Sequence, residues 1–451
     1  MNIAPQRLRE RRIPRAPGTR RQRAAAASLA SGVAVVAALL IVFGVVLGPG
    51  RAATGQLLAG FQARSYAPGQ VAVLAVGGGQ TNRLTLQIFR AGASGTPGPA
   101  AAPGWDKNTF GKPVTTPQQL QRPSGGGRWL VHVRLASSWP SGSYVARLSW
   151  SGRTDYAPFV LRPSRLGSGS ASVLVVEPTN TWHAYDDFEG DSWYLTPSVH
   201  VIDLTNPFAS SRVNGKPVPA GLPEQFQRFD VGFLRWYWHS GYRADFISDD
   251  DLESLSSAAQ LSHYRLIVFA GHEEYVTSHT FDLITQYRND GGNLAFLSAN
   301  NFFYRVKVSG NTMVGRTPWR DLHRPEAALV GAQYAGWDEG DYPNNPYHIT
   351  DTAAAPWLFK GTGLHDGSVV GNYGIEVDEP NSASPPHTHV LAQIPNELGP
   401  GKPADMTIYT LGHSTVFDAG AINFEASAHW PALSRFFSNL WSHLSGESSD
   451  S

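Results

Sequence analysis

The side chains able to do chemistry collect in three short stretches of this 451-residue chain. The first is Glu177-Pro-Thr-Asn-Thr-Trp-His-Ala-Tyr185, continuing through Asp186-Asp-Phe-Glu-Gly-Asp-Ser-Trp-Tyr194. The second is Gly271-His-Glu-Glu-Tyr275 and the third Ala299-Asn-Asn301. Between them they supply phenols, carboxylates, a histidine and amides, groups that ligate metals, carry protons or steady a developing charge. Singly they are ordinary. Loop tyrosines such as Tyr185 and Tyr194 usually pack or hydrogen-bond, and Glu273 and Glu274 at a helix start suit the macrodipole. His272 reads as a loop histidine, and Asn300 and Asn301 as turn residues. Their weight comes from position, since each stretch follows a run that reads as a strand.

Those runs define the elements that must hold the chemistry in place. Ala171-Ser-Val-Leu-Val-Val176, Arg265-Leu-Ile-Val-Phe-Ala270 and Asn293-Leu-Ala-Phe-Leu-Ser298 are continuous apolar segments suited to strands buried on both faces. A helix is expected over 223–240, stopped by Gly241, then a strand over 242–247 and helices over 249–261 and 278–289. The alternation predicts an α/β domain with a mostly parallel sheet, whose ligands bind just past the carboxyl ends of the strands. From 299 the text reads as irregular until paired runs at 406–411 and 415–424 and a last helix over 431–444. Ahead of this domain, 55–164 carries about seven short strand-like runs between Gly/Pro-rich segments, the pattern of an immunoglobulin-like β-sandwich. The linker Arg165-Leu-Gly-Ser-Gly-Ser170 separates the two.

The N-terminus differs in kind. Residues 1–23 hold eight Arg against one Glu, and 24–47 is uncharged and apolar, long enough to cross a ~30 Å hydrocarbon layer. This predicts a basic cytoplasmic segment, a transmembrane anchor and an extracytoplasmic body from Arg51 onward; a cleaved signal processed near Ala53 is the alternative. The formal charge of zero thus splits into +7 at the start and −7 elsewhere, and an acidic body without a basic stripe excludes nucleic acid as partner. The absence of cysteine removes disulfides, thiolate nucleophiles and iron–sulfur clusters. No Gly-x-Ser-x-Gly elbow supports a serine hydrolase, and Gly77-Gly-Gly79 lacks the Lys-Ser/Thr of a phosphate loop. His387 and His389 have metal-compatible spacing within a Pro-flanked exposed loop, Asp249-Asp250-Asp251 reads as a helix cap, and Asp338-Glu-Gly-Asp341 lacks EF-hand spacing.

An ordered set of motifs adds a family. Pro178-Thr-Asn-Thr-Trp-His-Ala-Tyr185, Gly190-Asp-Ser-Trp-Tyr194, Phe233-Leu-Arg-Trp236 with Gly241-Tyr242, Gly271-His-Glu-Glu-Tyr275, Ser298-Ala-Asn-Asn301 and Gly371-Asn-Tyr-Gly-Ile-Glu-Val-Asp378 together resemble the large-subunit family of N,N-dimethylformamidase, over roughly residues 60–440. The resemblance implies an amidotransferase-like, flavodoxin-like parallel sheet over 171–445. It also implies one ferric iron held by Tyr185, Tyr194 and Glu274, with His272, Asn300 and Glu376 lining the pocket as catalytic residues, Glu376 or His272 as general base and Asn300 as donor to the carbonyl oxygen; zinc or manganese remain alternatives for the same donors. Val276-Thr277 and Glu189-Gly190-Asp191 depart from the family pattern, so the donor types persist while the pocket shape is expected to differ.

The expected function is an extracytoplasmic, metal-dependent hydrolase of a carbon–nitrogen bond in a small amide, with dimethylformamide itself not the expected substrate. The membrane, through the N-terminal helix, and a homo-oligomer complete the expected partners. The alternative is a catalytically silent cell-surface binding module of the same fold for carbohydrate or peptide. A carbohydrate-active site built on Glu274 and Glu376 is a third reading.

Overall fold

The apolar runs become the central strands of one mixed sheet. The computed structural model describes residues 57–78, 82–92, 111–123, 129–186, 188, 192–194, 199–209, 212–213, 216–217, 221–337 and 345–447. All of these belong to one unit of the chain, Pro49–Ser451. Among the described residues nine strands form the main sheet, in the order Asp245–Ser248, Val173–Glu177, Leu266–Phe269, Asn293–Phe296, Ser414–Asp418, Ala404–Leu411, His389–Ile394, Asn345–Ile349, Val369–Tyr373. The first five run parallel. Alternate side chains enter two cores, which is why these strands read as unbroken apolar runs. Val173, Val175, Val268 and Ala295 face the helices Val231–Ser240 and Pro431–Ser445, whereas Leu174, Val176, Ile267, Phe269, Leu294 and Phe296 face the helix Ser278–Asn289. Gly241, at φ 76°, ends Val231–Ser240 in the left-handed conformation that glycine tolerates without penalty.

The other four strands of the sheet run antiparallel. Among the described residues seven strands lie between Tyr304 and Ile394, where the sequence reads as irregular. Among the described residues strand outweighs helix, 38% against 22%, over several sheets, so the expected flavodoxin-like α/β fold is overturned. The physical reason is that strands such as Gln333–Trp337 and Asn345–Ile349 are short, carry Gly336 or Pro346, and shift register at Tyr334/Gly336 and Asn345/Tyr347. Such strands lack the apolar continuity by which buried parallel strands announce themselves.

Two smaller sheets flank the site. Tyr275–Thr277, Tyr304–Ser309, Thr312–Pro318 and Val201–Asp203 form one, and Gln333–Trp337 pairs with Glu376–Glu379 in the other. Upstream, the strands Leu57–Phe61, Val71–Gly78 and Trp129–Arg134 form one sheet, and six strands including Arg83–Arg90, Gly142–Trp150 and Arg153–Leu161 form another. The two share a core of Leu74, Leu86, Tyr144, Leu148 and Phe159. This β region is tied to the main sheet's edge by polar contacts. Ser141 Oγ accepts the Phe246 N–H at 2.7 Å, Ser65 donates to Asp251 at 2.9 Å, and Arg64 pairs with Asp250. The run Asp249-Asp250-Asp251 is therefore more than the expected cap. Asp251 closes a capping box with Ser248, and all three acids also reach other elements.

Among the described residues no helix is long and apolar enough to cross a membrane. That finding goes against the single-pass membrane arrangement expected from sequence, which is set aside. The segment 24–47 on which the expectation rested lies outside the described residues, as do Glu189-Gly190-Asp191 and 338–341.

Candidate active site

The site forms where the parallel strands end. Val173–Glu177 passes through Pro178 into the buried helix Thr179–Tyr185, so Tyr185 stands on its last turn. Proline at the helix entry offers no side-chain cap. Asp249, from the end of the neighbouring strand, takes that role by accepting the Asn180 N–H at 2.7 Å and the Thr179 hydroxyl at 3.0 Å. The same helix then holds the second stretch. Thr181 Oγ1 accepts the Glu274 N–H at 3.0 Å, and Asn180 Nδ2 donates to the Tyr275 carbonyl at 3.2 Å. Gly271 lets the chain pass close to its neighbours there. A Cβ at 271 would lie 2.5 Å from Asp230 Oδ1 and 3.1 Å from Pro178 Cγ.

Tyr185, His272, Glu274, Asn300 and Glu376 converge, and Tyr194 joins them through a ring contact. The Tyr185 hydroxyl lies 3.5 Å from Glu376 Oε1 and also bonds Glu274. His272 Nε2 stands 3.4 Å from Glu376 Oε2 and 3.6 Å from Glu274 Oε2. Asn300 Nδ2 donates to Glu376 Oε2 at 2.8 Å. The Tyr194 ring, 51% exposed, stacks on Tyr185 with centroids 5.0 Å apart and planes 20° from parallel, on the open side of the cluster. His387 and His389, by contrast, lie on the surface.

Burial sets the electrostatics. Desolvation, reinforced by the charge of Glu376, pushes Glu274 well above the usual carboxylate range. Desolvation followed by the two carboxylates raises the Tyr185 phenol. His272 is pushed down to about 3 by burial and is a neutral imidazole, although two acids flank it. Taking an imidazolium out of water costs more than its neighbours return, so desolvation sets the direction. Both nitrogens of His272, Glu274 Oε2 and Asn300 Oδ1 have no hydrogen-bond partner. Such a pocket of acids, phenols and orphaned acceptors would be relieved by a cation. Among the described residues no three His, Cys, Asp or Glu side chains are grouped to hold one, so any ion here needs the phenols. The donor chemistry fits a hard, highly charged ion such as ferric iron.

Several contributors were not legible beforehand. Asp378, fully buried, accepts the Asn300 N–H with both oxygens, at 2.9 and 3.1 Å, and holds Asn300 at φ 53°. Asp378 and Glu376 sit two apart on one strand and hence share a face, a spacing that could have flagged Asp378. Ile375, β-branched at φ 73°, stores backbone strain of ~1–3 kcal/mol immediately before Glu376. Arg316 carried no sequence signal; its guanidinium lies 6.0 Å from the Trp193 and Tyr304 ring centroids.

Residues 85–434 match the family described as N,N-dimethylformamidase beta subunit-like, C-terminal. The chain belongs to this N,N-dimethylformamidase beta subunit-like family. Relatives named N,N-dimethylformamidase beta subunit occur in Alcaligenes sp and Paracoccus aminophilus. The first is 23% identical over 322 residues, covering 56% of this chain and 42% of the relative. The second is 22% identical over 336 residues, covering 58% and 43%. The chain thus aligns with less than half the length of these dimethylformamidase subunits. Among solved structures, a β-galactosidase from the haloarchaeon Halorubrum lacusprofundi overlaps 60% of this chain and 31% of its own, at 14% identity and a TM-score of 0.34, a likeness too slight to bear on the reaction.

Proposed function

We propose that this chain hydrolyses the carbon–nitrogen bond of a small amide at the cluster of Tyr185, Tyr194, Glu274, His272, Asn300 and Glu376. The observation that carries the reading is the meeting of a phenol with two buried carboxylates and a neutral histidine in a chain related to dimethylformamidase beta subunits. Tyr185, Tyr194 and Glu274 would hold one metal ion, ferric iron being the best match to their oxygen donors. A bound ion would act there as a Lewis acid toward the amide carbonyl.

The remaining residues supply the proton chemistry. Glu376, which meets Tyr185, His272 and Asn300, is the general base that takes a proton from the attacking water. The water oxygen bonds to the carbonyl carbon, the carbon–nitrogen bond breaks, and Glu376 returns the proton to the departing amine. Asn300 spends one N–H on Glu376 and keeps a second to donate to the carbonyl oxygen as it gains charge. His272 stays neutral between the two carboxylates, with its Nε2 3.4 Å from Glu376 and 3.6 Å from Glu274.

The test is amine release by the purified chain from a panel of primary and N-alkyl amides, before and after chelation and after adding back iron. Release that is lost on chelation, restored by iron and abolished in Glu274→Gln is expected. Amide binding without release in every metal state would contradict the reading in favour of a silent binding module.

A further inference from the structure

Tyr185 is set by the helix Thr179–Tyr185 and Glu274 by its N–H bond to Thr181 on that helix, but Tyr194 stands on the short turn 192–194 and needs its own fastening. Part of that fastening is local. The Trp193 N–H donates to the Ala184 carbonyl at 2.9 Å, the Ser192 hydroxyl donates to the Tyr185 carbonyl at 3.2 Å, and the Tyr194 N–H donates to Ser192 Oγ at 3.2 Å. These bonds tie the turn to the end of the helix that carries Tyr185, leaving the Trp193 carbonyl directed elsewhere. Arg316 takes it. From the strand Thr312–Pro318, in the smaller four-stranded sheet, its Nη1 donates to that carbonyl at 2.6 Å. Trp193 is itself buried and packs on Tyr275 with centroids 5.4 Å apart, so its ring and carbonyl are fixed from two sides.

We infer that Arg316 is a positioning residue for Tyr194: by holding the Trp193 carbonyl it locks the 192–194 turn so that the Tyr194 phenol stays stacked over Tyr185 and available to the ion. The inference rests on the proposed role of Tyr194 as a ligand, and it deepens that role by naming what keeps a half-exposed ligand in place. A charge-assisted bond is worth more than a neutral one, and a planar guanidinium fixes direction as well as distance. Methionine at 316 preserves much of the stem's packing and removes the donor, whereas lysine retains one.

The experiment uses the full chain as wild type, Arg316→Met and Arg316→Lys, with two readouts. The first is hydrogen–deuterium exchange of the peptide covering 192–194 in metal-free protein, with the helix Ser278–Asn289 as folding control. The second is iron retention on dilution, followed by the visible phenolate-to-iron band. Arg316→Met should exchange about tenfold faster at 192–194 with the control helix unchanged and lose iron at least tenfold more readily. Arg316→Lys should fall between. Unchanged exchange at the turn overturns the clamp whatever the iron does, as does faster exchange with wild-type iron retention. Faster exchange in Arg316→Met, alongside a wild-type chain that takes up no iron, supports the clamp and overturns the metal reading instead.

Discussion

At the residue scale, the account assigns separable roles to neighbours that touch one another. Glu376→Gln keeps the shape and the contact to Asn300 but cannot take a proton, so kcat for amide hydrolysis should fall about 10²–10⁴-fold with KM little changed, measured as initial rates of amine release. Asp378→Asn acts one step removed. It weakens acceptance of the Asn300 N–H, and should lower kcat by about tenfold or more through misplacement of the Asn300 amide. A kcat untouched in Asp378→Asn would show that the left-handed Asn300 needs no such support. The six nominated residues could be named because each sits directly after an apolar run or in a distinctive motif. Asp378 stands in the same motif as Glu376 yet drew no role, and Arg316 carried no signal, because both act by holding a backbone group of a residue distant in sequence.

At the scale of elements, the site depends on how the stretch after Leu266–Phe269 is threaded between Pro178, Asp230 and the helix Thr179–Tyr185. Gly271→Ala would push a methyl against Asp230, which is already fixed by the Trp182 indole N–H at 3.0 Å. The 271–274 stretch must then shift, and iron uptake and hydrolysis should drop together, while wild-type uptake would show that the loop absorbs the methyl elsewhere. The parallel strands and the helix Ser278–Asn289 could be read because burial on two faces, or a helical period with Thr277 capping the Thr280 N–H, leaves a strong local pattern. The strands between Tyr304 and Ile394 could not. Pro346, Gly336 and the register shifts break their alternation, and long-range pairing alone makes them strands. Those antiparallel additions are why the expected parallel sheet gave way to a mixed one, and the separate pairing of Gln333–Trp337 with Glu376–Glu379 delivers Glu376.

For the whole molecule, buried acids, Glu177 at a strand end and Asp230 at the entry to the helix Val231–Ser240, couple stability to pH. Burial, then the charge of Asp230, raises Glu177 to about 8, and burial raises Asp230 to about 7. Their unfolded values are the ordinary 4.5 and 3.8, so between those values and the raised ones the folded state binds more protons than the unfolded chain. Their contribution to stability is therefore full below about pH 4 and declines as pH rises toward 8. Melting temperatures of the metal-free chain should fall between pH 5.5 and 8.5, and Glu177→Gln should flatten that decline; an equally steep fall in the variant would contradict the assignment. The central claim concerns one ion per chain held by phenols. Its most direct measurement is iron content of the purified protein together with its visible spectrum. The account predicts close to one ferric ion per chain and a phenolate-to-iron absorption band that weakens in Tyr194→Phe and Tyr185→Phe. A chain that takes up no iron, or an iron-loaded chain whose spectrum is unchanged by either substitution, would contradict it.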